Sequence, residues 1–220
     1  MLVPGEIGGI RTGTAAWDAA RPRPTLRDTR GMSDQTISRF DVPDLDDLPD
    51  DIRDVILAVQ EKSGFVPNVF LAFARRPAEF RAFFAFHDAL MDSNDGLSKA
   101  ERELIVVATS ARNHCLYCVV AHGAILRIRM KNPHIADQVS VNPAKADLSD
   151  RERAIVEFAL LVAEDSAAVT DARLDELRAK GFTDDEIWDI GAITSLFALS
   201  NRYANFTGMR PNDEFYAMAR

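Results

Sequence analysis

The sequence predicts an all-α protein in which two related helical units pack on one core. From Pro49 onward, apolar residues recur at the spacing of amphipathic helices, and few segments alternate in the manner of strands. Capping boxes of the form S/T-x-x-E, which satisfy backbone N–H groups at a helix start, occur three times. They pair Ser98 with Glu101, Ser149 with Glu152, and Thr183 with Glu186. Helices are therefore expected to begin at these three points.

The helices can be assigned in order from their start and stop signals. A helix over residues 50–62 should end at Gly64, because glycine readily adopts the left-handed conformation that closes a helix. A helix over residues 77–92 should begin at Pro77, which the first helical turn tolerates. Its phenylalanines at positions 80, 83, 84 and 86 suit burial between helices. Further helical segments are expected over residues 96–112, 147–165, 169–181 and 182–208.

The chain is expected to comprise an N-terminal arm and one helical domain. Residues 1–31 contain scattered glycines, prolines and arginines without periodicity, which predicts a flexible arm. Met32 opens a segment that resembles an ordinary start, so an over-extended gene start would also account for the arm. Residues 32–220 are expected to form the helical domain.

An internal repeat predicts two related units within this domain. An offset of 51 residues superimposes LSKAER on LSDRER, and each of these stretches opens a helix. The first unit, residues 96–130, carries both cysteines of the chain, and the second, residues 147–208, carries none. The cysteines therefore indicate a site added to one unit, since a shared packing role would require them in both.

Composition and charge exclude several classes of function. The chain has 34 acidic against 26 basic side chains and a net charge of −8, so it lacks the basic surface that binds nucleic-acid backbones. No apolar run approaches the roughly 20 residues that span a bilayer, and the N-terminus does not resemble a secretory signal. We therefore expect a soluble, cytoplasmic protein with neither nucleic-acid nor membrane partners. In a reducing compartment, a close cysteine pair favours catalysis or metal binding over a permanent cross-link.

The two cysteines lie in the stretch NHCLYCVVAH, residues 113–122. Asn113 is a candidate N-cap, which would place both thiols in the first turns of a helix, where free N–H groups favour thiolate over thiol. Cys115, Cys118 and His122 are spaced by three and four residues, so we expect them to share one helix face.

These residues supply the components of thiol redox chemistry. A thiolate is the nucleophile, a neighbouring histidine can take its proton, and a second cysteine can resolve an oxidised sulfur into a disulfide. Glu103 is the candidate that orients the imidazole and accepts its proton, because it shares a helical stripe with apolar residues and should be partly buried. Glu101 and Arg102 are interpreted as a cap and a solvent-facing charge. His87 has no companion signal in the sequence.

Two other interpretations of the cysteine segment stay open. The cysteines could be a pair of buried small side chains. Alternatively, the segment could hold zinc, although three ligands on one short helical stretch would crowd a tetrahedral site. The zinc ligands would be Cys115, Cys118, His122 and either His114 or Glu103.

The motif E-x11-C-x-x-C-x3-H, formed by Glu103, Cys115, Cys118 and His122, resembles the core motif of AhpD-type alkylhydroperoxidases. The resemblance extends over roughly residues 50 to 212. Over this range the chain is similar to the longer, peroxidase-related branch of that family, which belongs to the carboxymuconolactone decarboxylase-like superfamily. The stretches SGFVPNVFLAFARRPAEF and LSNRYANFTG contribute to it. The carboxymuconolactone decarboxylases themselves lack the cysteine pair, so the cysteines argue against that branch.

The resemblance implies an all-helical fold that assembles into homo-oligomers and reduces hydroperoxides. It implies that Cys118 attacks the peroxide, Cys115 resolves the oxidised sulfur, and His122 with Glu103 relays the proton. It implies no flavin, haem or metal cofactor. The reductant would be a dithiol, such as a lipoylated protein acting through an adaptor.

Three classes of function therefore stand as hypotheses. The first is a dithiol peroxidase acting on organic hydroperoxides or hydrogen peroxide. The second is a redox sensor or disulfide exchanger that uses the same cysteines with little peroxidase turnover. The third is a structural zinc module, which predicts one metal per chain and loss of helicity on chelation.

Overall fold

The computed structural model describes residues 36–220, and over this range the chain folds into ten α-helices without a strand. This confirms the all-α prediction. The arm expected over residues 1–31 lies outside the described residues. The helices are α1 (Asp50–Ser63), α2 (Asn68–Ala74), α3 (Pro77–Met91), α4 (Lys99–Arg112), α5 (Leu116–Met130), α6 (Ile135–Val141), α7 (Asp150–Asp165), α8 (Asp171–Ala179), α9 (Asp184–Thr207) and α10 (Asp213–Ala217).

The core is built around α4, which packs against α5, α6, α7 and α9. Its side chains from Arg102 to Ser110 are all buried, including four consecutive apolar residues, Leu104 to Val107, that are fully inaccessible. A helix buried on every side must be surrounded by other elements, and here one of those elements is the cysteine-bearing helix α5. The position of α5 is therefore fixed by the most buried part of the core.

All three predicted capping boxes are present, at the starts of α4, α7 and α9. In each, the Ser or Thr side chain accepts the backbone N–H three residues on, while the Glu at that position bonds back to the cap. Arg151, in the first turn of α7, also donates to Glu101 and to Glu186. One guanidinium thus joins the starts of three helices.

α4 and α7, which open the two predicted units, pack against each other and against α9 in this common core. The predicted helix end at Gly64 is also confirmed, since this residue has φ of 81° and closes α1. The predicted start of α3 at Pro77 is likewise confirmed. That the two units are related by an internal repeat stays a prediction.

The prediction that Arg102 is a solvent-facing charge is wrong. The side chain is fully buried. Its guanidinium donates to the carbonyl oxygens of Leu90 at 2.7 Å and Asp95 at 2.7 Å, its Nε to that of Leu97 at 3.1 Å, and it lies 2.7 Å from the carboxylate of Asp189. These acceptors come from the end of α3, from the α3–α4 connection and from α9, so no pattern within α4 could have indicated them. Arg102 therefore acts as an internal clamp.

The aromatic helix α3 is only partly buried as predicted. Phe80 and Phe83 are buried, whereas Phe86 is 51% exposed. Phe84 is partly buried and stacks on Phe70 of α2 with ring centroids 4.3 Å apart.

None of the helices between residues 36 and 220 is both long and apolar enough to cross a membrane.

Candidate active site

The connection between α4 and α5 differs from the sequence prediction at its cap. Asn113, predicted as an N-cap, instead closes α4, and Cys115 caps the start of α5. The reason is His114, whose φ of 51° turns the chain into the left-handed region. In this turn the N–H groups of His114 and Cys115 bond back to the carbonyl oxygens of Ala111 and Ser110, so that the cap of α5 falls at Cys115, two residues later than predicted.

Cys115 and Cys118 are both buried free thiols at the start of α5. The sulfur of Cys115 accepts the backbone N–H of Cys118 at 3.4 Å, as an N-cap oxygen would. The hydrogen bond from the Cys118 side chain, followed by this backbone N–H, lowers the pKa of Cys115 to about 7. The pKa of Cys118 is raised well above its ordinary value, because it gives its proton to that bond and is buried. The negative charge of the reduced pair therefore resides on Cys115.

His122 is hydrogen-bonded to Glu103, which joins α5 to α4. Nδ1 of the imidazole lies 2.8 Å from Oε2 of the carboxylate, and both side chains are largely buried. A carboxylate accepts, so Nδ1–H donates and Nε2 is left as the free base of the ring. The edge of the ring also packs against Phe197 of α9, with centroids 4.8 Å apart. The imidazole is thus held in one tautomer and one orientation.

A cavity of about 100 Å³ opens beside this pair. Cys118, His122 and Glu103 are among its lining residues, whereas Cys115 is not. Most of the lining is apolar and aromatic, with contributions from α1, α2, α3, α9 and α10. These apolar residues include Val59, Val69, Phe70, Phe83, Phe84, Phe197 and Phe215. Of the two thiols, the cavity therefore gives access to Cys118.

Helix α9 supplies polar partners that the sequence analysis did not identify. The Ser200 hydroxyl lies 3.9 Å from the Cys118 sulfur. Asn201 donates to the Ser110 hydroxyl at 2.9 Å and accepts from the Asn113 side chain at 2.9 Å. These residues are more than 80 positions from the cysteines, so only the packing of α9 on α4 and α5 brings them to the site.

His87, which has no companion signal in the sequence, lies in the cavity wall. Its Nδ1 lies 3.0 Å from the carboxylate of Asp88, and burial lowers the pKa of the imidazole below its ordinary value. A second imidazole, favoured in its neutral form by burial, therefore lines the cavity together with His122. The available signal was its place one turn beyond Phe83 and Phe84 on the aromatic helix.

Tyr117, which precedes Cys118 in the chain, both packs in the core and forms a hydrogen bond. Its hydroxyl accepts the backbone N–H of Val69 at 3.2 Å at the start of α2, and the side chain is buried. Burial raises the pKa of the phenol above its ordinary value. Tyr117 therefore anchors one wall of the cavity to the cysteine-bearing helix.

The zinc alternative requires three or four ligands that converge on one point. Among residues 36–220, no group of three or more His, Cys, Asp or Glu side chains is arranged to hold a metal ion. His114, one of the ligands considered, is an exposed residue of the turn. Glu103 and His122, two others, are occupied by their mutual hydrogen bond. The described part of the chain thus offers this alternative no support.

A helical fold with a C-x-x-C pair at a helix start, beside a His–Glu pair and an apolar cavity, defines the class of AhpD-like proteins. The family model described as the carboxymuconolactone decarboxylase family matches residues 77–139, which include all four predicted site residues. A peroxidase-related protein with an alkylhydroperoxidase AhpD core, from Ralstonia eutropha JMP134, has a crystal structure and is 63% identical to this chain in sequence. Its TM-score is 0.83, over 84% of this chain and 98% of that one.

A peroxidase-related protein from Silicibacter sp. TM1040 is 38% identical, with a TM-score of 0.81 over 86% of this chain and 100% of that one. The chain therefore belongs to the AhpD-like proteins of the carboxymuconolactone decarboxylase-like superfamily. The debrominase Bmp8, solved with 2,3,4-tribromopyrrole, shares the fold. It is 19% identical, with a TM-score of 0.65 over 77% of this chain and 89% of that one. No curated protein matches the chain. Homo-oligomeric assembly and a cytoplasmic location stay predictions.

Proposed function

We propose that this protein is a dithiol peroxidase that reduces organic hydroperoxides through Cys118, Cys115, His122 and Glu103. The observation that carries the proposal is that the two thiols occupy different positions relative to the cavity. Cys118 lines the apolar cavity with His122 and Glu103, whereas Cys115 contacts Cys118 and does not line the cavity. One sulfur is thereby accessible to a substrate, and the second is in position to react with the first. Family membership supports the same class of chemistry.

In the first step, the sulfur of Cys118 attacks the distal oxygen of the hydroperoxide. The O–O bond breaks, the alkoxide leaves and takes up a proton as an alcohol, and Cys118 becomes a sulfenic acid. Cys118 must first lose its own proton, since its pKa is raised in the resting pair. Nε2 of His122 is the base that can take this proton, directly or through water, and Glu103 stabilises the imidazolium that results.

In the second step, Cys115 resolves the sulfenic acid. The pKa of Cys115 is lowered to about 7 in the resting pair, and after oxidation its sulfur still accepts the backbone N–H of Cys118, which favours the nucleophilic thiolate. Attack on the Cys118 sulfur forms the S–S bond and breaks the S–O bond, and the hydroxide that leaves is protonated to water. This proton comes from solvent, since the proton that His122 took from Cys118 is given to the alkoxide in the first step.

An external dithiol completes the cycle by thiol–disulfide exchange. It gives two electrons and two protons to the Cys115–Cys118 disulfide and becomes a disulfide itself. A dihydrolipoyl group on a partner protein, acting through an adaptor, is the reductant that the family resemblance implies. The sum of the cycle is one hydroperoxide and one dithiol converted to one alcohol, one water and one disulfide.

The experiment that tests the proposal separates peroxidase turnover from sensing. Reduced, metal-free protein is mixed with one equivalent of cumene hydroperoxide, free thiols are counted, and peroxide loss is followed over repeated cycles with dihydrolipoamide. We expect loss of two thiols and sustained turnover. Thiol loss without turnover would favour the redox sensor or disulfide exchanger, and unreactive thiols would contradict both.

A further inference from the structure

The cavity that holds Cys118 is also lined by a cation that has no ionic partner among residues 36–220. Arg129, near the C-terminal end of α5, lines the cavity and is partly buried. It forms no hydrogen bond or ion pair with any other of residues 36–220. The guanidinium is permanently charged and has five donors, so in a partly buried position it favours an anionic partner.

The other charges in the cavity lining are paired. The Lys99 ammonium lies 3.9 Å from the carboxylate of Asp92 and also donates to its backbone carbonyl. Glu103 is bonded to His122. Since the whole chain carries a net charge of −8, the cation is not part of a generally basic surface. Among the charged side chains of this lining, Arg129 is therefore the one for which residues 36–220 supply no hydrogen-bond or ion-pair partner.

Arg129 lies on the same face of α5 as the reacting residues. Cys118, His122, Ile125 and Arg129 are spaced by four, three and four residues, and all four line the cavity. Seven residues of helix separate His122 from Arg129, about 10 Å along the axis. Helical side chains point back toward the N-terminus, so the guanidinium leans toward the imidazole and the remaining gap is shorter. Ile125 provides an apolar surface between the two.

The opposite walls are suited to an aromatic or otherwise compact apolar group. Phe70 and Phe84 stack with centroids 4.3 Å apart, and Phe83 contacts Phe84 edge to face at 5.2 Å. Such rings bind another ring by offset stacking or edge contacts. A molecule that occupies the cavity therefore meets a thiol at one end, aromatic rings along its body and a guanidinium at the other end.

From this arrangement we propose that the preferred substrate is a hydroperoxide with a compact apolar body and a carboxylate at its far end, held by Arg129. This inference rests on the proposed function, and it adds the substrate class and a specificity-determining residue. The carboxylate stays unchanged in the reaction. The hydroperoxide is reduced to the alcohol at Cys118 as described above, and the Arg129 contact fixes which end of the molecule faces the sulfur.

The test uses two hydroperoxides that differ only in charge: the para-carboxylate of cumene hydroperoxide and its para-carboxamide. Reduced protein is mixed with each in the absence of reductant, and the rate of thiol loss is measured. We expect the acid to react about tenfold faster than the amide, the size of one charge-assisted hydrogen bond. In Arg129→Gln the two rates should become similar, and Arg129→Lys should retain part of the preference. Equal rates in the wild-type protein overturn the proposal.

The matched control is Arg202→Gln, which removes an exposed cation of α9 that donates to the Ala198 carbonyl and does not line the cavity. This control variant should leave unchanged the ratio of the oxidation rate with the acid to the rate with the amide. If Arg202→Gln abolishes the preference as fully as Arg129→Gln does, the preference reflects overall charge and the proposal is wrong. A separate measurement adds dihydrolipoate to the oxidised protein. If Arg129→Gln oxidises at wild-type rates and only this reduction is slower, the cation serves the reductant, which also overturns the proposal.

A binding measurement separates failure of this inference from failure of the proposed function. Calorimetry with the Cys118→Ser variant measures the affinities of 4-isopropylbenzoate and 4-isopropylbenzamide, neither of which is a peroxide. Tighter binding of the acid, lost when Arg129→Gln is added, supports the inference even if no hydroperoxide is turned over. Equal affinities overturn it, even if peroxidase activity is found.

Discussion

His122 and Glu103 are joined across two helices by a hydrogen bond of 2.8 Å between Nδ1 and Oε2. Glu103 belongs to α4, the most buried helix of the core, and His122 belongs to α5, four residues after Cys118. The bond transfers the rigidity of the core to the imidazole and leaves Nε2 as its free nitrogen. Proton transfer at Cys118 should therefore depend on this pair more than on any other polar contact of the cavity.

Replacing Glu103 by Gln should slow peroxide reduction without unfolding the protein. The amide can still hydrogen-bond to His122, but it does not stabilise an imidazolium, so we expect the rate of thiol oxidation to fall by about tenfold or more. Stopped-flow measurement of single-turnover oxidation checks the rate, and far-UV circular dichroism checks the fold. Glu157→Gln, an exposed change on α7, is the control and should have no effect. An unchanged rate in Glu103→Gln would show that the relay is wrongly assigned.

The two cysteines should fail in different ways when each is replaced by serine. Cys118→Ser removes the attacking sulfur, so peroxide consumption should be abolished. Cys115→Ser leaves that sulfur but removes its partner, so one equivalent of peroxide should be consumed before the reaction stalls at the sulfenic acid. Dimedone trapping and mass spectrometry identify this species on Cys118. Full activity in both variants would exclude the mechanism.

The reduced pair should show a single thiolate near neutral pH. The pKa of Cys115 is lowered to about 7, so the thiolate absorbance at 240 nm should rise as the pH increases through 7 and then level off. The raised pKa of Cys118 should delay a second step to far higher pH. The rate of Cys118 oxidation should not level off with this first step, because the attacking sulfur is Cys118 and its own pKa is raised.

The origin of the lowered pKa can be tested with Cys118→Ala. This change removes the thiol that donates to Cys115 but retains the backbone N–H of residue 118. The pKa of Cys115 should therefore rise from about 7 toward its ordinary value, which moves the 240 nm titration to higher pH. A titration that stays near 7 in this variant would assign the effect to the helix start alone.

Arg102→Met should destabilise the fold strongly. The buried guanidinium joins three backbone carbonyls and the carboxylate of Asp189, and its loss leaves these groups without their partner. We expect a loss of about 3–5 kcal/mol in the free energy of unfolding, measured by urea denaturation. Arg112→Met is the matched control on the same helix. Its pair with Glu164 is exposed, so only a small change is expected.

The features that were predicted correctly depend on local sequence, and those that were missed depend on distant partners. The three capping boxes and the alignment of Cys118 with His122 follow from spacings of three and four residues. Arg102 was wrongly placed in solvent because its acceptors lie at the end of α3, in the α3–α4 connection and on α9. Ser200 reaches the site only through the packing of α9 on α5.

The cap at the start of α5 was wrong for a different reason. Asparagine is favoured at the N-cap of a helix and is also tolerated near its C-terminal end, so the residue type of Asn113 does not distinguish the two. The left-handed conformation of His114 decides between them, and a histidine does not signal that conformation as a glycine would. Cys115, the actual cap, is not among the residue types that usually cap helices.

The role of the Cys115 sulfur as a helix cap has a consequence for the reduction potential of the site. The backbone N–H of Cys118 and the start of α5 stabilise an anionic sulfur, which exists only while the pair is reduced. Stabilising the reduced form shifts the potential upward, by about 30 mV for each 1.4 kcal/mol, and makes the disulfide a stronger oxidant. A dithiol should therefore reduce the oxidised protein readily. At equilibrium with such a dithiol, most of the protein should carry the reduced cysteine pair.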